Sequence, residues 1–347
     1  MKTSTRSWLG TATVTFILCT GLLIAQAPPA GQAAPQLPPG TPAAPAGQAP
    51  APATDFQLSA SVQLVNVTAT VLDETGTYVD GLKQEDFQIF EDGVEQKISF
   101  FSHDRRIPVS LGVLVDISGS MRHKLQQALQ TARELSLALS PQDEMFLVTF
   151  NSDVDMKQRL TSNPLLIERA LQGIRTSGDT SVYDALQLGL GEMKTAHNAK
   201  KIMVLISDGF DSRSKLTLPQ IEESLKRADV EVYAIGIDDD ENDPVVVVQP
   251  MYHIYHYMLN DLATISGGRV FRLFTGRNYA LDNLARLLLE ELHQQYLLSY
   301  YPSNNSNMGF RKLEVKVDQP KAEVRYRTGY YPASGVTAPS SATAAAK

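Results

Sequence analysis

The chain has 347 residues, a formal net charge of −7 and 43% hydrophobic residues, enough for about two domains and for a core that needs neither metal nor disulfide. The acidic balance excludes a general electrostatic affinity for nucleic acid or anionic lipid. The one Cys (Cys19) and the one Trp (Trp8) both fall in the first apolar stretch. Disulfide scaffolds, Cys-ligated zinc and thiol catalysis are therefore excluded for everything that follows.

Lys2 and Arg6 precede an apolar run from Trp8 to Ala25, the order expected of a secretory signal. Residues 1–27 are read as that signal, with cleavage after Ala25-Gln26-Ala27 or after Gly31-Gln32-Ala33. A retained anchor is the alternative, although Thr11, Thr13, Thr15 and Thr20 make the run a poor permanent span. Residues 28–54 hold nine Pro and nine Ala and no charged side chain. Such a segment is expected to be an extended, disordered linker, able to reach about 80 Å as a polyproline II spacer. Residues 332–347 read as a disordered tail. An exported location follows, in the periplasm, on the cell surface or outside the cell.

Residues 55–106 carry strand patterning. Ser61 to Leu72 is β-branched and partly alternating, and Phe87 to Phe90 runs into Glu91-Asp92-Gly93, a hairpin signal. Lys97 to Phe101 resumes the strand. From Val109 the pattern changes to apolar strands alternating with amphipathic helices. Strands are predicted at 109–115, 145–150, 155–160, 202–206, 230–237 and 269–273. Helices are predicted at 124–139, 164–174, 182–195, 218–227, 261–266 and 279–294. Strands at 296–301, 311–317 and 322–327 close the ordered region. The predicted fold is α/β: a doubly wound, mostly parallel sheet at 107–295. It is inserted into a small antiparallel β domain built from the flanks 55–106 and 296–331. Two independent β appendages are the alternative.

The strand at 109–115 ends in Asp116-Ile117-Ser118-Gly119-Ser120-Met121. Three oxygen side chains thus alternate at the carboxyl end of a strand, the edge where ligands bind in doubly wound sheets. One carboxylate with two hydroxyls suits a hard cation such as Mg²⁺. Thr180 lies in a loop before a predicted helix, and Asp208 ends another apolar strand.

The order Asp116-x-Ser118-x-Ser120, Thr180, Asp208 resembles the metal-ion-dependent adhesion site of von Willebrand factor type A domains, over about 107–298. The ordered region also resembles a bacterial exported subfamily, with segments like Asp86-Phe87-x-Ile89-x-Glu91-Asp92-Gly93 before the domain and Gln295-Tyr296-x-Leu298-x-Tyr300-Tyr301-Pro302 after it. The resemblance implies Mg²⁺, or Mn²⁺ or Ca²⁺, in direct contact with Ser118, Ser120 and Thr180, with Asp116 and Asp208 nearby or through water. It implies a non-enzymatic module that engages a carboxylate on a protein partner, with no nucleic acid, and a membrane only if the signal is kept as an anchor. One departure is Asp179, which stands where many relatives have glycine. The helix cap, turn and loop acid that Ser120, Thr180 and Asp208 could each be alone are the structural alternative.

Other signals are weaker. The run Asp238 to Asp243 reads as a solvated acidic loop, because it lacks the spaced glycine and distal Glu of a calcium loop. His253 and His256 read as surface-loop residues within a long connection, 238–257, that contributes to a ligand-facing rim. Asp184 and Asp211 are expected to cap helices or orient the metal ligands. Enzyme motifs are missing: no G-x-S-x-G elbow, P-loop, H-E-x-x-H or dinucleotide glycine pattern occurs. A structural scaffold of an envelope assembly and a metal-assisted hydrolase are the competing functions.

Overall fold

The computed structural model describes residues 64–103, 107–209, 211–238, 250–274, 281–304 and 308–332. The signal, linker and tail expected from the sequence, and the acidic run beyond Asp238, lie outside these. Among the described residues no helix is long and apolar enough to cross a membrane.

The centre is a six-stranded sheet of β5 (Val109–Asp116), β6 (Glu144–Phe150), β7 (Val154–Thr161), β8 (Lys200–Ser207), β9 (Glu231–Asp238) and β10 (Val270–Phe274). Its order is β10-β9-β8-β5-β6-β7, with every pairing parallel except β6 with β7. All eight residues of β5 are buried. A central strand covered on both faces has no solvent side, which is why its sequence is an apolar run rather than an alternation.

Helices cover both faces. Leu111, Val113 and Val115 pack with Ala128, Ala132 and Leu135 of α1 (Leu125–Ala138), Ile167 of α2 (Pro164–Ala170) and Leu284 and Leu288 of α6 (Leu281–His293). On the other face Leu114, Phe146 and Met203 pack with Val182 and Leu186 of α3 (Val182–Met193), Ile221 of α4 (Leu218–Arg227) and Met258 and Leu262 of α5 (Pro250–Ser266). At about 25 cal/mol per Å² of apolar area removed from water, these two layers are the main stabilising contribution.

The flanks interleave as expected. Sheet order β13-β1-β11-β4 joins β1 (Val65–Leu72) and β4 (Ile98–Ser102) from before the α/β region to β11 (Tyr296–Tyr300) and β13 (Glu323–Arg325) from after it. A second sheet, β14-β12-β2-β3, does the same with β2 (Phe87–Glu91), β3 (Val94–Gln96), β12 (Arg311–Val317) and β14 (Gly329–Tyr330). Val67 pairs with Leu298 and Ile89 with Val315. Side chains from both sheets form one core, including Val67, Ile89, Tyr296, Leu298 and Leu313. The β2–β3 turn has Asp92 at φ 49° and Gly93 at φ 81°, the two left-handed residues that the Asp-Gly hairpin demands.

Two expectations need correction. The connection 238–257 is not a loop throughout: α5 begins at Pro250, so the backbone at His253 and His256 is helical. Proline at the first helical position lacks only a hydrogen bond that no helix makes there. The helix predicted at 164–174 also ends early, at Ala170, and Gly173 follows with φ +73°.

Candidate metal and carboxylate-binding site

From β5 the sheet continues to β6 on one side, and from β8 to β9 on the other. The neighbouring carboxyl ends of β5 and β8 thus frame the crevice where the winding direction reverses. Asp116 is the last residue of β5, and Asp208 directly follows β8. The turn Gly119–His123 then carries Ser120 and Met121, and Met121 is buried and anchors it.

Both oxygens of Asp116 are occupied. Oδ1 accepts from the Ser118 amide at 2.8 Å, and Oδ2 accepts from the Ser207 hydroxyl at 2.6 Å. Asp116 is fully buried. Burial pushes its carboxyl up to about 6, with the Asp208 charge adding to the rise and the Ser207 and Ser118 hydrogen bonds opposing it.

Asp208 is tied to the opposite wall. Its Oδ1 accepts from Ser120 Oγ at 2.8 Å, and its Oδ2 faces Lys124 Nζ at 2.9 Å. Ser118 Oγ lies 3.0 Å from Ser120 Oγ. Ser120 is therefore no helix cap: its hydroxyl is spent on the cluster. Thr180 is 6% exposed, and a Cβ placed on Gly209 would lie 3.8 Å from its Oγ1, which brings the threonine hydroxyl beside the residue that follows Asp208.

The Thr180 loop is fastened from three directions. Gly119 N donates to Gly178 O at 2.9 Å, and the Asp179 amide donates to Ser152 Oγ at 2.9 Å. The amides of Ser212 and Arg213 donate to Thr180 O at 2.9 and 3.0 Å. Asp184 and Asp211 brace the surroundings. Asp184 accepts from the amides of Lys215 and Leu216, and Asp211 from those of Tyr183 and Ser214.

The structure thus brings Asp116, Ser118, Ser120, Thr180 and Asp208 to one edge. The donor set is all oxygen, as Mg²⁺ requires. Neighbouring ligands of an octahedral ion with bonds of about 2.1 Å stand about 3 Å apart. The Ser118–Ser120 and Ser120–Asp208 separations of 3.0 and 2.8 Å match that spacing. Among the described residues no three His, Cys, Asp or Glu side chains could hold a metal ion together, so a cation here depends on the hydroxyls. Two residues of the cluster were not singled out from sequence. Ser207 stands beside Asp208 at the strand end and could have been noticed. Lys124 reads locally as a helix-opening residue.

Residues 111–210 match the family described as von Willebrand factor type A domain. Over those residues the chain is similar to von Willebrand factor type A domains. An uncharacterized Synechocystis protein, sll0103, is 26% identical over 238 residues, 64% of this chain and 54% of its own length. Inter-alpha-trypsin inhibitor heavy chain H2 of Sus scrofa is 24% identical over 161 residues, 41% of this chain and 17% of its own. The chain therefore spans about half of the first relative and under a fifth of the second. A solved von Willebrand factor type A structure from Catenulispora acidiphila aligns with a TM-score of 0.45 at 12% identity, covering 76% of this chain and 73% of that one.

Proposed function

We propose that the protein is an exported, non-enzymatic binding module whose type A domain engages an acidic group of a protein partner through a divalent cation. Asp116, Ser118, Ser120, Thr180 and Asp208 would hold the ion. Bound there, Mg²⁺ would supply an electrophilic position open to a carboxylate oxygen. The observation that carries this reading is the oxygen cluster at the β5–β8 crevice, with its spacings of about 3 Å between neighbouring donors.

The chain's own residues prepare the site. Ser207 and the Ser118 amide fix both Asp116 oxygens, and the fastened Gly178 to Thr180 loop keeps the threonine hydroxyl beside Gly209, the residue after Asp208. Ser118 and Ser120 add oxygens without adding charge, so an ion held there would keep its attraction for an outside anion. Ser120 is exposed, and this open side is where a partner would approach. Export rests on the Lys2, Arg6 and Trp8 to Ala25 pattern.

Titration calorimetry of the full chain with Mg²⁺ tests the reading. One saturable site, lost in Asp116→Ala with an unchanged circular dichroism spectrum, is the expected result. An Asp116→Ala variant that binds Mg²⁺ like the wild type would dismiss it.

A further inference from the structure

The cluster contains a cation of its own. Lys124 sits at the start of α1, and its ammonium lies 2.9 Å from Asp208 Oδ2, with the two side chains 7% and 1% exposed. A side chain with a flexible four-carbon stem does not bury its charge without a specific counter-charge, because the desolvation cost is several kcal/mol. Asp208 is that counter-charge, and the second Asp208 oxygen is already taken by Ser120. Every oxygen of both site carboxylates therefore has a donor within the chain.

We propose that Lys124 is a built-in counter-cation of the site, which weakens divalent-ion binding and gives the ion-loaded site an excess positive charge for a carboxylate. This inference rests on the metal-site reading above. With Asp116 and Asp208 ionised, Lys124 leaves the cluster with one net negative charge. A divalent ion must then share Asp208 with the ammonium or displace it, and like charges at this range in a buried pocket repel strongly. Once the ion is seated, two carboxylates face three positive charges. The surplus is one unit, which a single partner carboxylate neutralises. Without Lys124 the loaded site would be neutral and would have less attraction for an anion.

Two effects of opposite sign follow, and a merely structural lysine would produce neither pattern. Removing the charge should tighten the ion and loosen the carboxylate. Lys124→Met keeps the apolar stem, and Lys124→Gln keeps a hydrogen-bond donor toward Asp208, so a folding defect in one leaves the other available.

The experiment is titration calorimetry of full-length wild type, Lys124→Met and Lys124→Gln with Mg²⁺, followed by acetate titration of each Mg²⁺-saturated protein. Expected are about 10-fold tighter Mg²⁺ in both variants and several-fold weaker acetate. Equal or weaker Mg²⁺ binding in a folded variant overturns the inference while leaving the metal site standing. Tighter Mg²⁺ with unchanged or stronger acetate also overturns it. Absence of Mg²⁺ binding in wild type and both variants overturns the metal-site reading, and this inference with it.

Discussion

Arg311 donates to Glu91 at 2.9 Å, with both side chains at most 4% exposed. Arg311 opens β12, after the α/β region, and Glu91 ends β2, before it. The other Glu91 oxygen accepts from the Tyr300 and Tyr330 hydroxyls at 2.6 and 2.8 Å, so one buried carboxylate ties three other strands, β11, β12 and β14, to β2. Removing one partner of such a pair strands the other charge away from water. Arg311→Met is expected to destabilise the protein by about 3 kcal/mol in urea unfolding, and Glu91→Gln with Arg311→Met by clearly less. Equal losses in the single and double variants would count against this account of how the flanks are joined.

The second prediction concerns preorganisation of the Thr180 loop. Gly178 has φ +73°, and a Cβ there would fall 2.6 Å from Ser152 Oγ, the atom that accepts from the Asp179 amide. Gly178→Ala thus combines left-handed strain with displacement of a loop-fixing hydroxyl. It should cost about 1–2 kcal/mol of stability and weaken Mg²⁺ binding several-fold by calorimetry. Gly191→Ala, inside α3, is the control: an added Cβ there meets nothing within 4 Å, so Mg²⁺ binding should hold and stability should rise slightly rather than fall.

A core position makes a third case. The built Cβ of Gly112, in the middle of β5, would lie 2.2 Å from the Phe146 ring on the neighbouring strand. Gly112→Ala should destabilise by about 1–3 kcal/mol, the range for overpacking a filled core. Adding Phe146→Leu should recover part of the loss in thermal melting. A double variant no more stable than Gly112→Ala would show that the ring is not what fills this space.

Lys200, at the start of β8, gives a pH dependence. Burial pushes its ammonium down to about 8, although Glu231 and Glu291 pull the other way. The ordinary value of a solvated lysine is 10.5, and the unfolded chain takes it. Between pH 8 and 10 the unfolded chain therefore binds this proton more tightly than the folded one, and stability rises with pH across that window. The gain should reach about 2 kcal/mol near pH 10 in urea unfolding, relative to Lys200→Met, which lacks the group. Parallel pH curves for the two proteins would show that the ammonium is as well solvated folded as unfolded.

Much of this architecture is legible in the residues because its signals are local. The continuous apolar run of β5 announces a strand buried on both faces, and Asp92-Gly93 announces its own turn. The alternation of Leu313, Val315 and Val317 announces a half-buried strand, and β12 has that register. The start of α5 is harder to read, because Met251 to Tyr257 is rich in His and Tyr and has no clear apolar stripe. The helical spacing emerges only from the buried Met258, Leu259, Leu262 and Ala263 onward. Pro250 was the signal available. A strand as short as Gly329–Tyr330 carries no pattern of its own. At the site, the order of Asp116, Ser118, Ser120, Thr180 and Asp208 is readable, but which donor meets which oxygen is not. The pairing of Lys124 with a carboxylate 84 positions away is set by the winding of the sheet, and no spacing within α1 encodes it.

On the proposed function, a divalent cation at the β5–β8 edge would mediate attachment to a protein partner. The most direct measurement is capture of a partner by the immobilised full chain from an envelope extract of the cells that make it. Wild type would be compared in Mg²⁺ and in chelator, and with Asp116→Ala in Mg²⁺. The account predicts a partner retained by wild type in Mg²⁺, released by chelator and absent from the variant. A partner held equally in chelator and by Asp116→Ala would contradict it.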